Sequence, residues 1–70
     1  MRKKYILDLG GEAGNAFVIM GTVARWMIEN KYSPSEVDKY YDEARASDYN
    51  NLVMVSQKMV TEINKIRGYE

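Results

Sequence analysis

Hydrophobic and polar positions alternate at the start of the chain. Tyr5, Leu7 and Leu9 fall on one side of an extended segment, Ile6 and Asp8 on the other. That period of two predicts a short strand over residues 4–9. The run Gly10-Gly11-Glu12-Ala13-Gly14 then ends it in a flexible turn. After Asn15, a good helix N-cap, the period lengthens. Phe17, Val18, Ile19, Met20, Val23, Ala24, Trp26, Met27 and Ile28 crowd the stretch from residue 16 to about residue 30. These are too many for one stripe. A helix apolar nearly all round needs cover on several sides.

Lys31-Tyr32 connects to Ser33-Pro34-Ser35-Glu36, which combines an N-cap serine, a proline at the first helical position and a glutamate closing a capping box. Val37, Tyr40, Tyr41 and Ala44 follow at i, i+3, i+4 and i+7, a narrow stripe on a charged second helix that reaches about Arg45. Ser47 or Asp48 caps a third helix over residues 49–66, with Tyr49, Leu52, Val53, Ser56, Met59, Val60, Ile63 and Ile66 along one face and Gly68 as its stop.

The expected fold is mainly α (α+β), a short N-terminal strand followed by three helices, in one small domain spanning residues 1–70. A strand cannot stand alone, because its backbone donors and acceptors need partners. The same strand of a second subunit supplies them in an antiparallel ribbon across a two-fold axis. The alternatives are an extended arm lying on its own helices, or pairing with residues 68–70. The overfull first helix also points to self-association, as a homodimer or a higher ring.

Composition narrows the chemistry. The 70 residues hold no Cys and no His, which removes thiol nucleophiles, disulfides, zinc fingers and the commonest general base. Ten Lys/Arg balance ten Asp/Glu, so no basic surplus favours a nucleic-acid polymer as partner. The most apolar run is broken by Gly21, Thr22 and Arg25 and falls short of the roughly 20 apolar residues that span a bilayer. No apolar signal region follows the basic start. The expectation is a cytoplasmic protein without a membrane partner.

One stretch resembles a motif. A strand, a glycine-rich turn and a helix N-terminus place free backbone N–H groups at the positive end of a helix dipole, which suits an anion. Gly11, Gly14 and Asn15 are the candidate backbone donors, Arg2, Lys4 and Arg25 the candidate phosphate charges, and Tyr5 the candidate stacking ring. The loop is neither Gly-x-Gly-x-x-Gly nor a P-loop, and it also reads as a tight turn with Asn15 as cap. Arg25 likewise reads as an i,i+4 partner of Glu29. Asp8 and Glu12 could form a carboxylate pair or hold Mg²⁺ through water, but no Ser or Thr has a visible base to activate it. The chain is expected not to be an enzyme, to use no cofactor and to hold no metal.

The segment Ile6-Leu7-Asp8-Leu9-Gly10-Gly11-Glu12-Ala13-Gly14-Asn15-Ala16-Phe17, with Ser47-Asp48-Tyr49-Asn50-Asn51-Leu52 further on, resembles a family of short uncharacterised phage and prophage proteins. These carry Leu-Asp-x-x-Gly-x-x-Gly-Asn-Ala-Phe and Ser-(Gly)-Asp-Tyr-x-Asn-Leu segments. The chain departs from the family in lacking the glycine often inserted before Asp48. The resemblance implies a viral or prophage origin and a place in the host cytoplasm. In class, a short oligomer-prone chain with a glycine loop is also similar to phage nucleotide sponges of the anti-defence type. The leading expectation is therefore a homo-oligomer that binds a phosphorylated small ligand, a cyclic nucleotide or ADP-ribose-type immune signal, at subunit interfaces. The alternative is an accessory module that docks on a host or phage protein through the first helix.

Overall fold

Helix caps are the strongest local signals in the chain, and they set the element boundaries in the computed structural model, which describes residues 4–69, the Ala13 side chain excepted. The order is a 3-10 turn (Gly11–Gly14), α1 (Ala16–Glu29), α2 (Pro34–Ala44) and α3 (Tyr49–Ile66). Asn15 Oδ1 accepts from the Phe17 amide at 2.8 Å, and Asp48 Oδ1 accepts from Asn51 at 2.9 Å. At α2 both halves of the capping box close: the Glu36 amide donates to Ser33 Oγ at 3.2 Å and the Ser33 amide to Glu36 Oε1 at 2.8 Å. Each cap satisfies amides that the first helical turn leaves without partners.

The ends of α1 and α3 share one geometry. The Tyr32 amide reaches back to the Met27 carbonyl at 3.0 Å and the Tyr69 amide to the Asn64 carbonyl at 2.8 Å. These six-to-one bonds are the Schellman closure, which needs a left-handed residue just before the donor. Gly68 fills that place after α3 with φ 93°, and Lys31 fills it after α1 with φ 69°.

Ile19, Val23 and Met27 of α1 meet Val37, Tyr40 and Ala44 of α2 and Leu52, Val60 and Ile63 of α3 in one buried core. The three helices pack pairwise. Two polar groups enter this core and satisfy each other: the Tyr40 hydroxyl and Ser56 Oγ stand 2.6 Å apart, both buried. Ser56 thus occupies a position that the apolar period of α3 assigns to the core.

The expected strand does not form among the described residues. Residues 4–9 are extended, yet they build no ladder. Their backbone partner is a side chain. The Tyr5 amide donates to Asn64 Oδ1, and Asn64 Nδ2 donates to the Tyr5 carbonyl, both at 2.9 Å. One primary amide therefore reproduces the donor–acceptor pair that a neighbouring strand supplies. Tyr5 and Leu7 pack against the core while Ile6 and Asp8 face outward. The period of two marks the covered side at Tyr5 and Leu7, whereas Leu9, on the same side of the pattern, is exposed. The cover is helical, so the fold is mainly α, with an arm in place of the β-strand, and the intermolecular ribbon loses its motive.

Asn64 is buried, and its replacement leaves the Tyr5 backbone without either bond. Asn64→Ala is expected to lower stability by about 1–3 kcal/mol and to shift the emission of Trp26, the single tryptophan, as the arm loosens. Urea unfolding followed by fluorescence checks both; an unchanged midpoint and spectrum would show that the arm is held by its side chains alone. A second expectation concerns alkaline pH. Burial, then the hydrogen bond to Glu62, raises the Tyr32 hydroxyl above its ordinary range, and burial raises Tyr40 despite its bond to Ser56. Above about pH 10 the unfolded chain loses phenolic protons that the folded chain keeps, so stability falls as pH rises. Tyr32→Phe should make that fall shallower in urea titrations between about pH 8 and about pH 11; an unaltered slope would discount this contact.

Candidate functional site

The glycine-rich turn is shaped by a backbone crossing. A Cβ on Gly14 would lie 2.2 Å from the Leu9 carbonyl oxygen and 3.0 Å from its carbon, so only glycine lets the two main-chain segments approach. Gly11 takes φ 56°, the left-handed region that disfavours a side chain. The Tyr49 hydroxyl donates to the Gly14 carbonyl and ties the turn to the start of α3. Several amides of this stretch already have internal acceptors. The Gly10 amide donates to Asp8 Oδ1 at 2.9 Å, the Asn15 amide to the Glu12 carbonyl at 3.1 Å, and the Phe17 amide to the Asn15 side chain. Of the three candidate donors Gly11, Gly14 and Asn15, the Asn15 amide is thus already bonded within the turn.

Tyr5 lies toward the other end of α1. Its ring stacks on Trp26 with centroids 4.5 Å apart and an interplanar angle of 8°. The Arg67 guanidinium stands 3.9 Å from the same centroid. Two groups at such distances occupy opposite faces of the ring, so neither face is open to a base. The Tyr5 hydroxyl donates to Glu29 Oε1 at 3.0 Å and accepts from Asn30 Nδ2 at 3.3 Å. Arg67 also approaches the Tyr69 ring at 5.2 Å. Its Nη1, buried without a hydrogen-bond acceptor among the described residues, is compensated by these ring faces. Trp26, Tyr5, Arg67 and Tyr69 form one stack that fastens the arm and the chain's end to α1.

The charges are dispersed. Lys4 is exposed on the arm, and Arg2 lies outside the described residues. Arg25 is exposed on α1 and makes no ion pair or hydrogen bond among the described residues. The expected Arg25–Glu29 pair is replaced by the Glu29 bond to Tyr5. Ten helical residues separate Arg25 from Asn15, about 15 Å along the axis. Within one chain the structure therefore groups Gly11, Gly14 and Asn15 at one end of α1, Tyr5 and Arg25 near the other.

What the turn leaves out, the flank of α1 supplies. Phe17 is 81% exposed, Ile28 63% and Val18 44%, and a Cβ on Gly21 would meet nothing within 4 Å. At 3.6 residues per turn, Phe17, Gly21 and Ile28 lie within about 40° of one another around the helix, with Arg25 and Val18 just beside them. At the N-terminal end this face borders a groove of about 310 Å³ whose lining includes Phe17, Met20, Tyr49 and Leu52. The surplus of apolar residues in the first helix was the signal for this surface. The roles of Asn64 and Arg67 carried no signal in the local pattern. Among the described residues no group of three acidic side chains is placed to hold a metal ion, and no helix is long and apolar enough to cross a membrane.

The turn's geometry ranks its glycines. Gly14→Ala forces backbone apart and is expected to cost about 1–3 kcal/mol, as overpacking does. Gly11→Ala should cost about 1–2 kcal/mol from its left-handed backbone. Gly10→Ala, whose Cβ would sit 3.5 Å from Asp8 Oδ1, should be nearly neutral. Thermal unfolding of the three variants checks the order, and a Gly14→Ala protein as stable as the parent would contradict the crossing.

No family model, curated protein or solved structure matches the chain.

Proposed function

We propose that the protein is a non-enzymatic interaction module that docks through the exposed face of α1. The observation that carries this reading is the placement of exposed Phe17 and Ile28 with Gly21 along one side of a helix capped at both ends, Val18 beside them. Single exposed hydrophobic residues are ordinary, whereas a contiguous apolar patch marks a contact surface. The rigid scaffold adds to the argument: a preorganised helix face costs little ordering entropy on binding. The resemblance to short phage and prophage proteins supports a partner met in the host cytoplasm.

This reading ranks above the sponge for a phosphorylated small ligand. Within one chain the Gly11–Gly14 turn and Asn15 stand about 15 Å from Arg25 along the helix, so a ligand shared by all of them needs Arg25 from a second copy. Tyr5 is already sandwiched between Trp26 and Arg67. A photo-crosslinking amino acid in place of Phe17, in cells, tests the docking surface. Adducts are expected at Phe17, absent when the probe replaces Lys58 on exposed α3, and lost when Ile28→Glu is added. Absence of any adduct at Phe17 would overturn the proposal.

A further inference from the structure

The exposed face of α1 has an internal symmetry. Gly21 sits between Phe17, one turn before it, and Arg25, one turn after it. Gly21 has open space where its Cβ would be, so another backbone can come close at that point. Phe17 is the most exposed large hydrophobic residue among those described. Arg25 is an exposed cation with no partner among the described residues. An aromatic ring and an unpaired guanidinium, equidistant from a bare glycine, are complementary to each other across a two-fold axis.

We propose that the occupant of this face is a second copy of the chain, its α1 packed antiparallel with the two-fold axis at Gly21, so that Phe17 of each copy lies over Arg25 of the other. The inference rests on the docking reading above and names its partner. Charge selects the direction. In a parallel pair the two Arg25 side chains stand side by side, and so do the positive ends of the two helix dipoles. In an antiparallel pair residue 17 faces residue 25 twice, each cation meets a ring, and the dipoles oppose. The net charge of zero leaves no overall repulsion to hold two copies apart.

Area sets the strength. The exposed parts of Phe17, Val18 and Ile28, with the neighbouring Gly21 and Arg25 surface, come to on the order of 400–500 Å² per copy, so the pair buries about 900 Å², at the low end of specific interfaces. The dimer is therefore a reversible one, and each copy keeps its own closed core. This differs from the strand-exchanged ribbon: nothing in the arm takes part, and Asn64 is not released.

Sedimentation equilibrium of the purified chain from ~10 µM to ~1 mM reads the association directly. A monomer–dimer equilibrium is expected in that range, with Phe17→Ala and Arg25→Glu each weakening it by about tenfold or more while helicity is unchanged. Direction is read by single cysteines, which have no background in a cysteine-free chain. Under mild oxidation Gly21→Cys should give a disulfide dimer. Ile28→Cys should not, because in the antiparallel pair the two positions lie about 21 Å apart along the helices. A monomer throughout, or Ile28→Cys linking as readily as Gly21→Cys, overturns the proposal. If the purified chain stays monomeric while the Phe17 probe still captures another protein in cells, self-association fails and the docking reading survives; if both are negative, both fail.

Discussion

The fold closes on one side chain. Asn64 sits on the last turns of α3, buried, and offers its carboxamide to both main-chain groups of Tyr5. Without that pair the Tyr5 main chain loses both bonds, and a buried amide left unmade costs more than the bond itself contributes. With it, Tyr5 is delivered to Trp26 on one face and Arg67 on the other. The arm thereby lies along α3 and covers Trp26 of α1. A chain of 70 residues has little apolar volume to spare, and this clamp lets the arm contribute to the core without a second strand.

The same closure explains why α1 keeps one apolar side in water. Its inner residues Ile19, Val23 and Met27 are fully buried, its Trp26 is stacked by the arm, and Phe17, Val18 and Ile28 are left over. Among the described elements, α2 is too polar outside its stripe to cover them, and the arm is held at Trp26 and Asn64. The leftover face is a consequence of how the short chain distributes its cover, and it survives because the helix beneath it is held at both ends by caps.

Much of this was legible in the sequence, and the reasons differ from element to element. Ser33, Pro34 and Glu36 act within one turn, so their capping box is written locally; the same holds for Asp48 before α3 and Gly68 after it. The alternation of Tyr5, Ile6, Leu7 and Asp8 reports which side is covered, but it cannot say whether strand or helix does the covering. That decision lies with Asn64, 59 residues away from Tyr5, in a helix position where asparagine carries no sign of its partner. Arg25 and Glu29 illustrate the opposite error. Their i,i+4 spacing allows a pair worth only a few tenths of a kcal/mol, and the Tyr5 hydroxyl takes Glu29 away. The glycines were legible as a turn. Their packing role was not, because it appears only once the turn curls Gly14 back onto the Leu9 carbonyl just before it.

Chemistry and architecture then converge on surfaces. The chain holds no thiol or imidazole, and its buried polar side chains Ser56 and Asn64 are bonded within the fold. The glycine turn holds several of its amides internally, and Tyr5 spends both ring faces on its neighbours. What remains is a flank with an exposed ring, a bare glycine and a guanidinium that has no partner among the described residues, in a symmetric order. Because the core is complete within one chain, contact at that flank need not be obligate. On the proposed docking, association there would follow concentration or the arrival of a better partner, since both would seat apolar surface around Gly21 and compete for Phe17.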